Sequence, residues 1–259
     1  MNVITPDWID VPANVGALVT TRDGGASQGP YANGDGCGGL NLGSHVGDLL
    51  ADVETNRTLL ASFLPSSPLW LNQVHGVHVV DANMADSGAE ADAAMSTRQG
   101  QVCAVLTADC LPVLFCDVKG QVVGAAHAGW RGLVGGVLER TVWRMREAGA
   151  SEIIAWLGPA IGPQKFEVGA DVLAAFITAA EERKASAEIV RQIASAFIPI
   201  LESQGKYLAD IYSLARTILG EAGVHGVSGG GACTVLDQQF YSYRRDKVTG
   251  RMASLIWLK

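Results

Sequence analysis

Two histidines and one cysteine stand where the local character of the chain changes sharply. They are His75 in Asn72-Gln73-Val74-His75-Gly76, Cys110 in Thr107-Ala108-Asp109-Cys110, and His127 in Ala126-His127-Ala128-Gly129-Trp130-Arg131-Gly132. In each segment an apolar run gives way to glycine, proline or polar residues, the pattern of a strand end feeding a loop, where a rigid scaffold delivers chemistry. One thiolate and two imidazoles on three segments can hold zinc and leave a fourth position open. The same residues can form a nucleophilic pair, with Cys110 attacking and His127 acting as base. Both readings predict an enzyme. Zinc closed by a fourth protein ligand would instead mark a structural site in a non-enzymatic partner protein.

Cys103 and Cys116 lie inside apolar runs and read as buried structural cysteines. Cys110 differs because Thr107 and Asp109 precede it, and polar residues in an apolar run are costly unless they are used. His127 follows the run Val122 to Ala126 and precedes small residues that permit a tight strand-to-helix turn. The helix start offers backbone donors for an anion, and Arg131 adds a positive charge. Strand alternation would put His75 and His78 on opposite faces, so at most one of them faces the site, and Asn72 and Gln73 could orient a ligand.

Several elements must carry these residues. Apolar spacing of three and four predicts helices over Val134 to Met145, ending at Gly149, and over Leu208 to Leu219, ending near Gly223. Another is expected over Asp171 to Ala180, followed by a charged break and a further helix to about Leu201. Strand-like runs cover Val77 to Val80, Val102 to Leu106, Pro112 to Asp117, Gln121 to Ala126 and Ile153 to Leu157. Phe240 to Tyr243 and Ala253 to Leu258 read as a C-terminal hairpin around Asp246 and Gly250. Strands and helices in no strict alternation give an α+β chain with mixed sheets. Arg22 to Gly43 is a glycine-rich loop, in which Asn33 to Gly39 reads as a floppy surface insertion.

The 259 residues suffice for a substantial core, and no linker or repeat divides them, so a single domain over 1–259 is expected. A net charge of −7 argues against a nucleic-acid backbone as the main partner, although a pocket can still be locally basic. Val102 to Val118, interrupted by Asp109, Pro112 and Asp117, is too short to span a bilayer. Met1 to Val15 has no basic residue ahead of its apolar stretch and is not a secretory signal. Five cysteines without a C-x-x-C pair then read as reduced thiols of a cytoplasmic protein. Five histidines cannot furnish both a His/Cys copper centre and a separate histidine-rich copper cluster, which speaks against blue-copper oxidase chemistry.

Taken in order, these segments resemble the YfiH family, also called the purine nucleoside phosphorylase-like or laccase-domain (polyphenol oxidase) family. The resemblance runs nearly end to end. Besides the three segments above, it includes Thr21-Arg22-Asp23-Gly24-Gly25, Asn41-Leu42-Gly43-Ser44-His45-Val46-Gly47-Asp48 and Gly158-Pro159-Ala160-Ile161-Gly162. It continues through Tyr241-Ser242-Tyr243-Arg244-Arg245-Asp246 and Thr249-Gly250-Arg251-Met252-Ala253. The resemblance implies α/β/β/α layers related to cysteine hydrolases, with Zn²⁺ held by His75, Cys110 and His127. It implies phosphorolysis of adenosine, inosine, guanosine and methylthioadenosine, and deamination of adenosine. Copper-dependent phenol oxidation and a peptidoglycan-editing role have also been attached to the family. For such chemistry Asp109 is expected to support a ligand or carry a proton, and Arg22, His45, Arg131 and Arg244 to contact phosphate or nucleoside. The insertion Asn33 to Gly39 departs from the family pattern.

Overall fold

The computed structural model describes residues 1–259. In chain order the strands are β1 (Val3–Ile4), β2 (Val15–Thr20), β3 (Asp23–Ser27), β4 (Val79–Asp81), β5 (Ala93–Ser96), β6 (Cys103–Thr107) and β7 (Leu111–Asp117). They continue as β8 (Val123–Ala128), β9 (Ile153–Leu157), β10 (Glu167–Gly169), β11 (Phe197–Pro199), β12 (Lys206–Ala209), β13 (Gly226–Gly229) and β14 (Met252–Leu258). The helices are α1 (Leu50–Ala61), α2 (Trp130–Gly135), α3 (Val137–Glu147), α4 (Ala170–Glu182), α5 (Ala187–Ser195), α6 (Ile211–Glu221) and α7 (Tyr243–Asp246).

Two sheets pack face to face. One is antiparallel with order β1-β2-β14-β6, and the other is mixed with order β13-β9-β7-β8-β5-β4. Period-two alternation divides their residues between separate cores. On β7, Leu114 and Cys116 enter the core between the sheets, with Val105 and Ile256 of the opposing sheet. Val113 and Phe115 face the other way, toward Leu138, Val142, Phe176 and Leu214 of the helices. On the outer face of the antiparallel sheet, Leu255 and Ala104 meet Leu60 of α1. The layers are therefore α/β/β/α. Burial on both faces explains why β6 and β7 read as unbroken apolar runs. Burying whole apolar side chains at about 1.5–3 kcal/mol each makes these cores the main stabilising term.

Some sequence expectations change. The helix expected from Val134 breaks at Gly136, whose φ of 95° ends α2 and starts α3. Leu208 belongs to β12, paired with β10 and β11, and α6 begins after Asp210, whose carboxylate accepts from the N–H groups of Tyr212 and Ser213. The helix expected to reach Leu201 stops at Ser195, and Phe197 opens β11.

The C-terminal hairpin is absent. Ser242 caps the short α7, and β14 inserts between β2 and β6. Periodicity identifies strands but not partners, and these partners are distant in sequence. The loop from Asn33 to Gly39 is ordered: the Asn33 side chain accepts from the N–H groups of Asp35 and Cys37, and Gly39 bridges to β3. No helix is long and apolar enough to cross a membrane. All five cysteines are free thiols.

Candidate metal centre and its pocket

His75, Cys110 and His127 converge, with one ligand atom from each lying within 4.8 Å of the others. Each arrives by a different local device. His127 is the penultimate residue of β8, buried among the strands. Cys110 immediately precedes β7, whose first residue Leu111 pairs with Ala128. His75 sits in a turn between Leu71 and β4, at a left-handed φ of 60°. A non-glycine residue there costs about 1–2 kcal/mol, so the turn must be held from outside.

The hold is Asp92, a fully buried carboxylate just before β5. It accepts from the N–H groups of Val74, His75 and Gly76 at 3.2, 3.0 and 2.6 Å. It also takes Nδ1 of His127 at 2.8 Å. Burial pushes its pKa up, but the His127 hydrogen bond and the Gly76 N–H outweigh this and hold it below the usual carboxylate range. Because Nδ1 of His127 is engaged, Nε2 is the nitrogen left for the site. Gln73 fixes the same segment to β6 through a two-bond pairing with the Leu106 backbone, 2.9 Å to its carbonyl and 2.7 Å from its N–H.

Cys110 Sγ lies 3.7 Å from His75 Nε2, and the two histidine rings meet edge to face with centroids 4.7 Å apart. Tetrahedral zinc with ordinary Zn–N and Zn–S bonds spaces its ligand atoms by roughly 3.3–3.6 Å. The donor set suits zinc, and the Cys110–His75 separation of 3.7 Å lies close to this range. Burial raises the Cys110 thiol, but the charge of His127 and the hydrogen bonds from His127 and His75 bring its pKa down to about 6. Cys116, buried beside Asp117, is pushed the other way, to about 12. His127 is raised to about 9: burial works against its charge, but Cys110 and Asp92 prevail.

The centre lines a pocket of about 450 Å³. Leu106, Ile161, Phe166, Ile211 and Tyr243 supply apolar or aromatic surface, while His45, Arg131, Arg244 and Arg251 supply polar and cationic groups. The local basicity contrasts with the acidic chain as a whole. Arg131 stacks on Trp130, and Arg244 lies over Phe166 while its Nη1 donates to the carbonyls of Lys165 and Glu167. Burial, then the charges of Arg251 and Arg57, push the His45 pKa down. The α2 helix has only six residues.

The structure does not bring every expected site residue here. Arg22 is buried away from the pocket lining, its guanidinium donating to the Ala32 carbonyl at 3.2 and 2.7 Å and lying over the Tyr241 ring. Asp109 does line the pocket, but both carboxylate oxygens are taken, by Thr234 Oγ1 and the Arg244 N–H, each at 2.6 Å. It holds the turn before Cys110 at φ 89° and ties it to α7. His78 directly precedes β4, its carbonyl accepting from the N–H groups of Asp92 and Ala93 and its Nδ1 on the Glu90 carbonyl, and it does not line the pocket. Asp92 and Arg251 are the residues that sequence reasoning missed. A lone carboxylate in the run Ala91-Asp92-Ala93-Ala94 was the available signal for Asp92.

Residues 16–259 match the family described as multi-copper polyphenol oxidoreductase laccase. A Pseudomonas aeruginosa protein named purine nucleoside phosphorylase is 51% identical, over 99% of this chain and 98% of its own length. The Escherichia coli protein named purine nucleoside phosphorylase YfiH is 50% identical over the same shares. A crystal structure of a Neisseria meningitidis protein superposes with a TM-score of 0.87 at 49% identity, covering 100% of both chains. The copper in the family description meets only one His/Cys cluster here. With matches of this extent, the chain belongs to the laccase-domain, or YfiH, family.

Proposed function

We propose that this protein is a zinc-dependent purine nucleoside enzyme. It cleaves adenosine, inosine, guanosine and methylthioadenosine with phosphate, and converts adenosine to inosine. The observation that carries the reading is the convergence of His75, Cys110 and His127 beside a pocket with both a cationic and an apolar lining. The names of relatives about half identical to this chain support it.

His75, Cys110 and His127 would hold the metal, which supplies Lewis-acid polarisation at the open fourth position. Arg131, Arg244, Arg251 and His45, which line the pocket, would bind an anion, and Arg131 and Arg251 would orient phosphate toward the ribose. Phe166 and Tyr243 would offer the aromatic surface that a purine needs, with Ile211 adding an apolar contact. In phosphorolysis a phosphate oxygen bonds to the anomeric carbon as the glycosidic bond breaks, and the departing purine takes the electron pair and a proton. In deamination water adds at C6 and ammonia leaves. Asp109, engaged at both oxygens by Thr234 and the Arg244 N–H, would position Cys110 rather than carry a proton.

The depressed Cys110 thiol beside His127 also favours a second reading, a metal-free cysteine hydrolase with Cys110 as nucleophile and His127 as base. Metal exchange separates the two. Stripped protein should lose inosine phosphorolysis and regain it with stoichiometric zinc. A stripped protein that cleaves an amide and is silenced by alkylation of Cys110 would favour the hydrolase.

A further inference from the structure

One buried carboxylate holds two of the three candidate ligands at once. Asp92 Oδ1 receives the His127 ring at 2.8 Å and the His75 N–H at 3.0 Å. Its Oδ2 receives the N–H groups of Gly76 and Val74. The Asp92 carbonyl also accepts from the His127 N–H at 2.7 Å. The group is 0% exposed, so water cannot replace it.

We infer that Asp92 is the positioning residue of the centre, fixing the His127 tautomer and the His75 turn together, so that metal affinity depends on it. The inference rests on the metal reading above. Without Asp92, the turn would lose the three acceptor contacts that hold His75 at its left-handed φ. With Nδ1 no longer held by Asp92, the neutral His127 ring that a metal requires could carry its proton on Nε2, which would remove the lone pair the metal needs there. An amide in place of the carboxylate keeps one acceptor oxygen but sets N–H groups against donors already there. Carboxylates that orient ligating histidines typically contribute about 10- to 100-fold in metal affinity.

The test is cobalt(II) and zinc titration of the intact chain against a competing chelator, with wild type, Asp92→Asn and Asp117→Asn. Asp117 is equally buried and accepts the N–H groups of Gln121 and Val122, but it stands at the far end of β7 from Cys110. Wild type and Asp117→Asn should bind with the same affinity and the same thiolate-to-cobalt charge-transfer band. Asp92→Asn should bind about 10- to 100-fold more weakly with an altered band. Equal affinity and an unchanged band in Asp92→Asn would overturn the inference. If that variant does not fold, nitrogen-15 spectra of the imidazoles in zinc-loaded wild type decide. A proton on Nδ1 of His127 with the metal at Nε2 supports the inference, and the metal at Nδ1 overturns it. A wild type with no tight site for either metal overturns the metal reading, and this inference with it.

Discussion

His75 Nε2 stands 3.7 Å from Cys110 Sγ across 35 residues of chain, and Gly129 keeps the space in which they meet. A Cβ on Gly129 would lie 2.8 Å from His75 Cδ2 and 3.0 Å from Cys110 Sγ. Gly129 also ends the strand that carries His127 and caps α2. One missing side chain thus serves all three candidate ligands.

Gly129→Ala therefore makes a clean steric probe. The backbone there, φ −62° and ψ 156°, accepts alanine without strain, so the fold should survive. The added methyl should displace His75 or Cys110 and lower nucleoside turnover by about 100-fold, the usual cost of roughly 1 Å of misplacement. Circular dichroism and steady-state kinetics check this. Wild-type turnover in folded Gly129→Ala would show that the two residues do not act as a unit.

The arginines should separate into two classes. Arg131→Ala and Arg251→Ala should each raise the phosphate KM by about tenfold or more, since hydrogen bonds to charged groups contribute about 1.5–3 kcal/mol. Arg22→Ala should leave that KM unchanged and lower stability by about 1–3 kcal/mol, because the Ala32 carbonyl loses its buried partner. Urea melts and phosphate titrations distinguish the classes. A phosphate KM raised by Arg22→Ala would return that residue to the site.

This division shows what the sequence could convey. His75, in a turn ahead of β4, was legible mainly from the company it keeps. Cys110 and His127 were legible as candidate ligands because each stands where an apolar strand meets small or polar residues. Asp109 was legible for the same reason, although its role in holding Thr234 and Arg244 was not. Asp92 gave the same signal and was missed, because a carboxylate reads as a solvent-facing residue until its donors, contributed by residues 74–76 and 127, are brought to it. Arg22 shares a motif with glycines that approach the backbone closely, so its packing on Tyr241 could not be told from a ligand contact. Local periodicity found β9 and most of β6, β7 and β8. It could not find the partners of β14, which are set by two distant strands.

Metal-stripped protein should reveal the thiol. Cys110 has a pKa of about 6, so its reaction with iodoacetamide should rise with pH through that value. The rate should be nearly level by about pH 7 and fall away on acidification, since only the thiolate attacks. Burial keeps Cys103 and Cys116 protonated and enclosed, so they should not react in the folded state. Zinc should protect Cys110. Peptide mass mapping against pH reads all of this, and a Cys110 rate still climbing above about pH 8 would contradict the arrangement with His127.

The most direct measurement is product analysis of zinc-loaded protein given adenosine, with and without phosphate, beside Cys110→Ala. The account predicts adenine and ribose 1-phosphate only when phosphate is present, and inosine in its absence. All three products should disappear in Cys110→Ala, which should fold but bind no zinc. Turnover that persists in Cys110→Ala, or no turnover by folded and fully metallated wild type, would contradict a purine nucleoside enzyme built on His75, Cys110 and His127.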